Sequence, residues 1–255
     1  KCSPTDEVVQ TVETPIKNVA KGSSEFVQTI TIARPALWSL ETPNLYKIKV
    51  TVWVNGKETD NVTTTFGIRT IEFNAQEGFL LNGVSVLLKG GCLHHDNGFL
   101  GSATIDRAEE RKVELLKAYG YNAVRTAHNP PSQQFLDACD RVGIVVIDEL
   151  FDMWQRKKNP HDYHLYFDEW WPSDLASIVM RDRNHPSVII WSIGNEINER
   201  VAPSGHALRK LLVAEVKKFD TSRPVSEGIC TFWDHPNTDW AVTAEAFAAL
   251  DVACY

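Results

Sequence analysis

From residue 87 onward, short apolar runs alternate with helical patterns, and nearly every apolar run ends in polar residues. NAVRTA (122–127), IVVIDEL (144–150) and VIIWSIGNE (188–196) are apolar on both faces. Such strands belong to parallel sheets covered by helices. LLKGGC (87–92), PVSEGI (224–229) and LDVAC (250–254) extend the series to six strands. Between them lie four helical patterns. Residues 106–119 have Asp106 as cap, Glu109 three positions on and Gly120 as stop, and residues 133–142 lie between Ser132 and Gly143. Leu175, Ile178 and Val179 mark a third helix; Leu208, Leu211, Leu212, Val216 and Phe219 mark a fourth, capped by Ser204.

A doubly wound sheet and a (β/α)8 barrel both satisfy this alternation. The polar strand ends separate them: His94-His95-Asp96, His128-Asn129, Asp148-Glu149, Asn195-Glu196 and Glu227. Polar residues at the C-terminal ends of successive strands converge only where the strands form a ring. A dinucleotide fold needs G-x-G-x-x-G after its first strand, and Lys89-Gly90-Gly91-Cys92 does not supply it. The reading is an incomplete TIM barrel over residues 78–255, with about six of its strands present.

Residues 1–77 have a different texture, rich in Thr and Val. EFVQTITIA (25–33) reads as strand, and Tyr46, Ile48, Val50, Val52 and Val54 alternate before the turn Asn55-Gly56. A second hairpin turns at Asn82-Gly83. An immunoglobulin-like β-sandwich, incomplete at its start, is expected over 1–77, without the Cys…Trp…Cys spacing of antibody domains.

The net charge of −7 and the absence of a clustered basic patch argue against a nucleic-acid partner. Arg156-Lys157-Lys158 reads as a solvated loop. Cys2, Cys92, Cys139, Cys230 and Cys254 are odd in number and far apart, so neither disulfide framework nor zinc site is indicated. No apolar run is long enough for a membrane span. No leader opens the sequence given, and the compartment stays open.

Glu196 follows an apolar strand, and burial beside another carboxylate would lift its pKa into the range useful for proton donation. Asn195 is inert and hydrogen-bonds in both senses, which suits a substrate covered in hydroxyls. Taken alone, Asn-Glu at a strand end reads better as a cap on the next helix.

The wider string changes that balance. RDRNHPSVIIWSIGNE (181–196) resembles the acid/base signature of glycoside hydrolase family two, which includes β-galactosidases, β-glucuronidases and β-mannosidases. LLNGVSVLLKGGCLHHD (80–96), YNAVRTAHNPPSQQFLDACDRVGIVVIDE (121–149) and GIRTIEF (67–73) resemble other parts of the same family. The resemblance implies a retaining exo-β-glycosidase, a β-galactosidase first and a β-glucuronidase second. Glu196 falls on the acid/base position, Asn195 on the residue that holds the sugar 2-hydroxyl, and His128 and His94 on substrate-binding histidines. Asp152 and Trp154 fall on a substrate-side loop, Trp191 on barrel core and Asp148-Glu149 on support for the site. Some members bind magnesium beside the acid/base; Met153 and Gln155 occupy those ligand positions, so no such metal and no cofactor is expected. His94-His95-Asp96 as a metal hydrolase lacks a third ligand cluster.

Retaining chemistry requires a second carboxylate, which the family places on the seventh barrel strand. Glu227 ends the fifth strand and Glu245 precedes the sixth, so the nucleophile is expected outside these residues and the chain alone is expected to be inactive. A non-catalytic carbohydrate-binding fragment is the reading from another class. Unpaired barrel edges predict a homo-oligomer. The resemblance leans toward a periplasmic or secreted bacterial setting.

Overall fold

The computed structural model describes residues 7–16, 21–231 and 240–254. Cys2 lies outside them.

The alternating apolar segments form a parallel five-stranded sheet whose spatial order follows the chain: β6 (Gly90–His94), β7 (Ala123–Ala127), β8 (Val145–Glu149), β9 (Val188–Asn195) and β10 (Val225–Gly228). Each strand lies beside the one before it, as in a barrel wall, with no reversal of order such as a doubly wound sheet requires. The sixth predicted strand is present only as a parallel bridge between Gly228 and Cys254. It sits where the ring would continue.

Helices connect the strands: α1 (Asp106–Ala118), α2 (Gln133–Val142), α3 (Phe167–Asp182) and α4 (Pro203–Phe219), with α5 (Trp240–Phe247) after β10. The predicted span of α2 is reproduced. Ser132 Oγ accepts from Phe135 N, and Gly143 closes the helix at φ +79°, where an added Cβ would meet Leu40 O at 2.3 Å. Two predicted caps are corrected. Ile105 and Ala202 hold the N-cap positions of α1 and α4, without side-chain capping bonds. Asp106 instead places negative charge in the first turn of α1. Pro203 starts α4, a position that sacrifices no intrahelical bond.

Between sheet and helices lies an apolar layer. Val124, Val146, Val188, Trp191 and Ile193 pack against Phe135, Leu136, Leu175, Val179, Leu212 and Val216. Full burial of one such side chain contributes about 1.5–3 kcal/mol, so this layer dominates the stability of the unit. Trp191 is core, as expected: it is fully buried, and its indole N–H donates to Asp220 at 2.9 Å. Trp154, expected on the substrate side, is also fully buried, donates to Ile193 O at 2.9 Å and lies under the Arg209 guanidinium. The structure corrects that expectation.

The N-terminal region forms less sheet than its pattern suggests. The hairpin of β1 (Tyr46–Val54) and β2 (Lys57–Phe66) turns at Asn55-Gly56, both at positive φ. Residues 25–33 form no strand. A three-stranded sheet of β3 (Ile71–Asn74), β4 (Gly78–Leu81) and β5 (Val84–Ser85) caps the N-terminal ends of the parallel strands, with Phe79 and Leu81 against Ile189 and Ile190. Gly67 and Arg69 fasten this region to β9. An added Cβ on Gly67 would meet Pro186 at 2.6 Å, and Arg69 donates to the carbonyls of Pro186 and Val188, each at 2.5 Å.

Among the described residues no disulfide forms: Cys139 and Cys230 are buried, Cys92 is exposed and Cys254 is partly buried. No described helix is long and apolar enough to cross a membrane.

Candidate active site

Alternation along β7 sends Val124 and Thr126 to one face and Arg125 to the other. Arg125 stands opposite Cys92 of β6 and Ile147 of β8. Its guanidinium reaches across the strand ends: Nε and Nη2 donate to Glu149 Oε2 at 2.9 and 2.6 Å, and Nη2 also donates to Asn195 Oδ1 at 2.8 Å. Nη1 lies 3.9 Å from Cys92 Sγ. Three neighbouring strands are thereby tied to one cation.

Glu149 is fully buried. Besides Arg125, its carboxylate accepts from Ser192 Oγ at 2.7 Å and from His128 Nδ1 at 2.7 Å. A carboxylate only accepts, so Nδ1 of His128 carries the hydrogen and Nε2 is left for other partners. His94, the exposed last residue of β6, packs edge-on to His128 with centroids 5.1 Å apart.

Asn195 ends β9 and is 5 % exposed. Arg125 can only donate and Asp152 can only accept, so the amide has one orientation: Oδ1 toward Arg125, Nδ2 toward Asp152 Oδ1 at 3.1 Å. One N–H of Nδ2 remains uncommitted. Lys158 closes the group, donating to Asp152 Oδ1 and to Asn195 O, both at 2.7 Å. The solvated-loop reading of residues 156–158 therefore fails for Lys158, which is folded back against the strand end.

Glu196 follows at φ +47°, and its N–H donates to Gly228 O at 2.8 Å. Its side chain is exposed. The expected burial of Glu196 is thus corrected: the last buried position is Asn195, and the positive φ turns the chain at the rim. The bond to Gly228 O fastens this turn to β10.

Of the residues singled out from sequence, Asn195, His128 and His94 gather at the ends of β6, β7 and β9, with Glu196 next in the chain. Arg125, Ser192 and Lys158 belong to the same network and were not singled out for it. Arg125 carried a readable signal, a single cation within an apolar strand. Glu227 is elsewhere. It is fully buried and bound by Arg209 Nε and Nη2 at 2.5 and 2.9 Å, and burial raises its pKa against the opposing pull of Arg209. Glu245 lies exposed on α5, 3.8 Å from His206. Asp148 faces away from Glu149, with neither carboxyl oxygen reached by a described donor.

The family model described as "Glycosyl hydrolases family 2, TIM barrel domain" matches residues 72–231. The chain belongs to glycosyl hydrolase family 2. A second model of the family, "Glycosyl hydrolases family 2", matches residues 1–69. A β-galactosidase of Bacteroides ovatus is 42% identical over 234 residues, 80% of this chain and 28% of that protein. A putative β-glucuronidase of Formosa agariphila is 44% identical over 195 residues, 76% of this chain and 18% of that protein. The structure of a family member from Bacteroides cellulosilyticus superposes with a TM-score of 0.82 at 49% identity, covering 87% of this chain and 28% of that one. This family 2 chain therefore spans 18–28% of the length of these three proteins.

Proposed function

We propose that this chain supplies the acid/base half of a retaining exo-β-glycosidase acting on terminal β-galactosides. The observation that carries the reading is Asn195-Glu196 at the end of a fully buried strand, the amide held in one orientation and the carboxyl open to a ligand.

In the first step Glu196 gives its proton to the glycosidic oxygen as the bond to the anomeric carbon breaks. A second carboxylate takes that carbon and forms a glycosyl ester. In the second step the Glu196 carboxylate takes a proton from water, whose oxygen displaces the ester and restores the original configuration. The free N–H of Asn195 meets the 2-hydroxyl oxygen. His128 and His94 line the sugar. The nucleophile must stand about 5–5.5 Å from Glu196. Glu227 is locked to Arg209, so the proposal assigns the nucleophile to a segment outside these 255 residues. No cofactor enters.

Charge favours a galactoside over a glucuronide. Arg125 is matched by Glu149 and Lys158 by Asp152, which leaves neither cation of this group uncompensated for a uronate.

The test uses the full-length protein and Glu196→Gln. Hydrolysis of lactose should fall by about 10²–10⁴-fold. A dinitrophenyl galactoside, whose leaving group needs no proton, should still form the glycosyl-enzyme, and azide should restore turnover and yield the β-configured galactosyl azide. Unchanged lactose hydrolysis in the variant, or an azide product of α configuration, overturns the assignment of Glu196.

A further inference from the structure

Asp152 and Lys158 have donors and acceptors left over. Asp152 Oδ1 takes Lys158 Nζ at 2.7 Å and Asn195 Nδ2 at 3.1 Å, while Oδ2 accepts from none of the described residues. The Lys158 ammonium has three N–H groups and spends two, on Asp152 and on Asn195 O at 2.7 Å. The two side chains are 32% and 20% exposed, so the unused atoms are reachable.

The pair is held in place rather than draped on the surface. Asp162 Oδ2 accepts from the backbone N–H groups of Lys158 and Asn159 at 2.8 and 2.6 Å. Arg156 N donates to Glu199 Oε1 at 2.7 Å, and Asn198 Nδ2 donates to Lys157 O at 2.9 Å. Four fastenings join this loop to itself and to the turn just after Glu196. A solvated lysine needs none of them.

Chemistry narrows the ligand. The pair is neutral overall, so neither an anion nor a cation finds an unmatched charge. It offers one strong acceptor and one strong donor side by side, next to the amide proposed to hold a sugar hydroxyl. Two neighbouring hydroxyl groups, one donating and one accepting, satisfy both. We infer that Asp152 and Lys158 form a diol-binding pair that reads hydroxyl configuration on the sugar held by Asn195. This rests on the glycosidase reading above. It makes the two residues determinants of specificity, because a site built to hydrogen-bond a hydroxyl rejects the analogue that lacks it.

The experiment is a cycle between protein and substrate. The full-length protein, Lys158→Met and the neutral double variant Asp152→Asn/Lys158→Met are assayed for kcat/KM on an aryl β-galactoside and its singly deoxygenated analogues. The parent substrate should lose about ten- to hundredfold in each variant. For the analogue lacking the hydroxyl that Lys158 reads, the wild-type protein should already show that loss and the variants should add little to it. The 2-deoxy analogue, which lacks the Asn195 contact instead, should show independent, multiplicative losses. Multiplicative losses for every analogue overturn the proposal and leave the glycosidase reading standing. Absence of turnover by the wild-type protein on all aryl β-glycosides overturns both. The double variant guards against a fault that comes only from leaving Asp152 unpaired.

Discussion

Arg125 shows what one side chain at a strand centre can do. Its guanidinium joins Glu149 and Asn195, and through Glu149 it reaches His128 and Ser192. Removing one partner of a buried ion pair costs about 3–5 kcal/mol, since the other charge is left behind. Gly228 gives that guanidinium its room: an added Cβ would meet Arg125 Nη2 at 2.8 Å. Gly228→Ala should therefore cost about 1–3 kcal/mol and should lower kcat with little change in unfolding cooperativity. Urea melts together with steady-state kinetics check this; full activity with an unchanged urea midpoint excludes the tight contact. Much of the site was legible at this scale because Asn195, Glu196, His128 and His94 lie inside recognisable strings. Lys158 was not. Its partner Asn195 lies 37 positions away, and nothing in the local charge run tells a folded-back lysine from a solvated one.

At the scale of elements, β8 and α3 hold a buried acid pair. Burial, and then the neighbouring Asp182 carboxylate, push the Asp148 carboxyl well above its ordinary range. A folded-state pKa above the unfolded value means stability that is intact below about pH 4, the unfolded Asp range, and that is lost as pH rises through the folded pKa. Asp148→Asn should therefore be more stable than the parent at pH 8 and should lose that advantage toward pH 4; urea midpoints across this interval decide. A constant difference across the interval excludes the protonated carboxyl. Asp220 has the opposite sign. Burial pushes it up, but the Arg223 charge and hydrogen bonds from Ser222 and Trp191 outweigh this and bring it to about 2. Its contribution is present near neutrality and is lost only as pH falls from about 4. The elements themselves were readable where the signal is local, as with Ser132 and Gly143 around α2. They were not readable where a strand depends on a partner. Residues 25–33 alternate well, yet no described segment pairs with them.

For the whole molecule, the unpaired surfaces matter most. Ile48, Val50, Val52 and Val54 alternate along β1 and are 38–52% exposed, and β6 forms an edge of the parallel sheet. Exposed apolar strands and open edges recruit partners. The isolated 255-residue chain should self-associate in a concentration-dependent way, and Val50→Lys with Val52→Lys should weaken that association. Sedimentation velocity reads both, and a monomer at every concentration removes the expectation. The wall of strands, by contrast, carries its own charge pairing at the strand ends. Arg125 finds Glu149 and Asn195 within three consecutive strands. During synthesis, these strands leave the ribosome before anything encoded downstream. The growing polypeptide thus holds the partners of the buried Glu149 carboxylate within strands that emerge one after another.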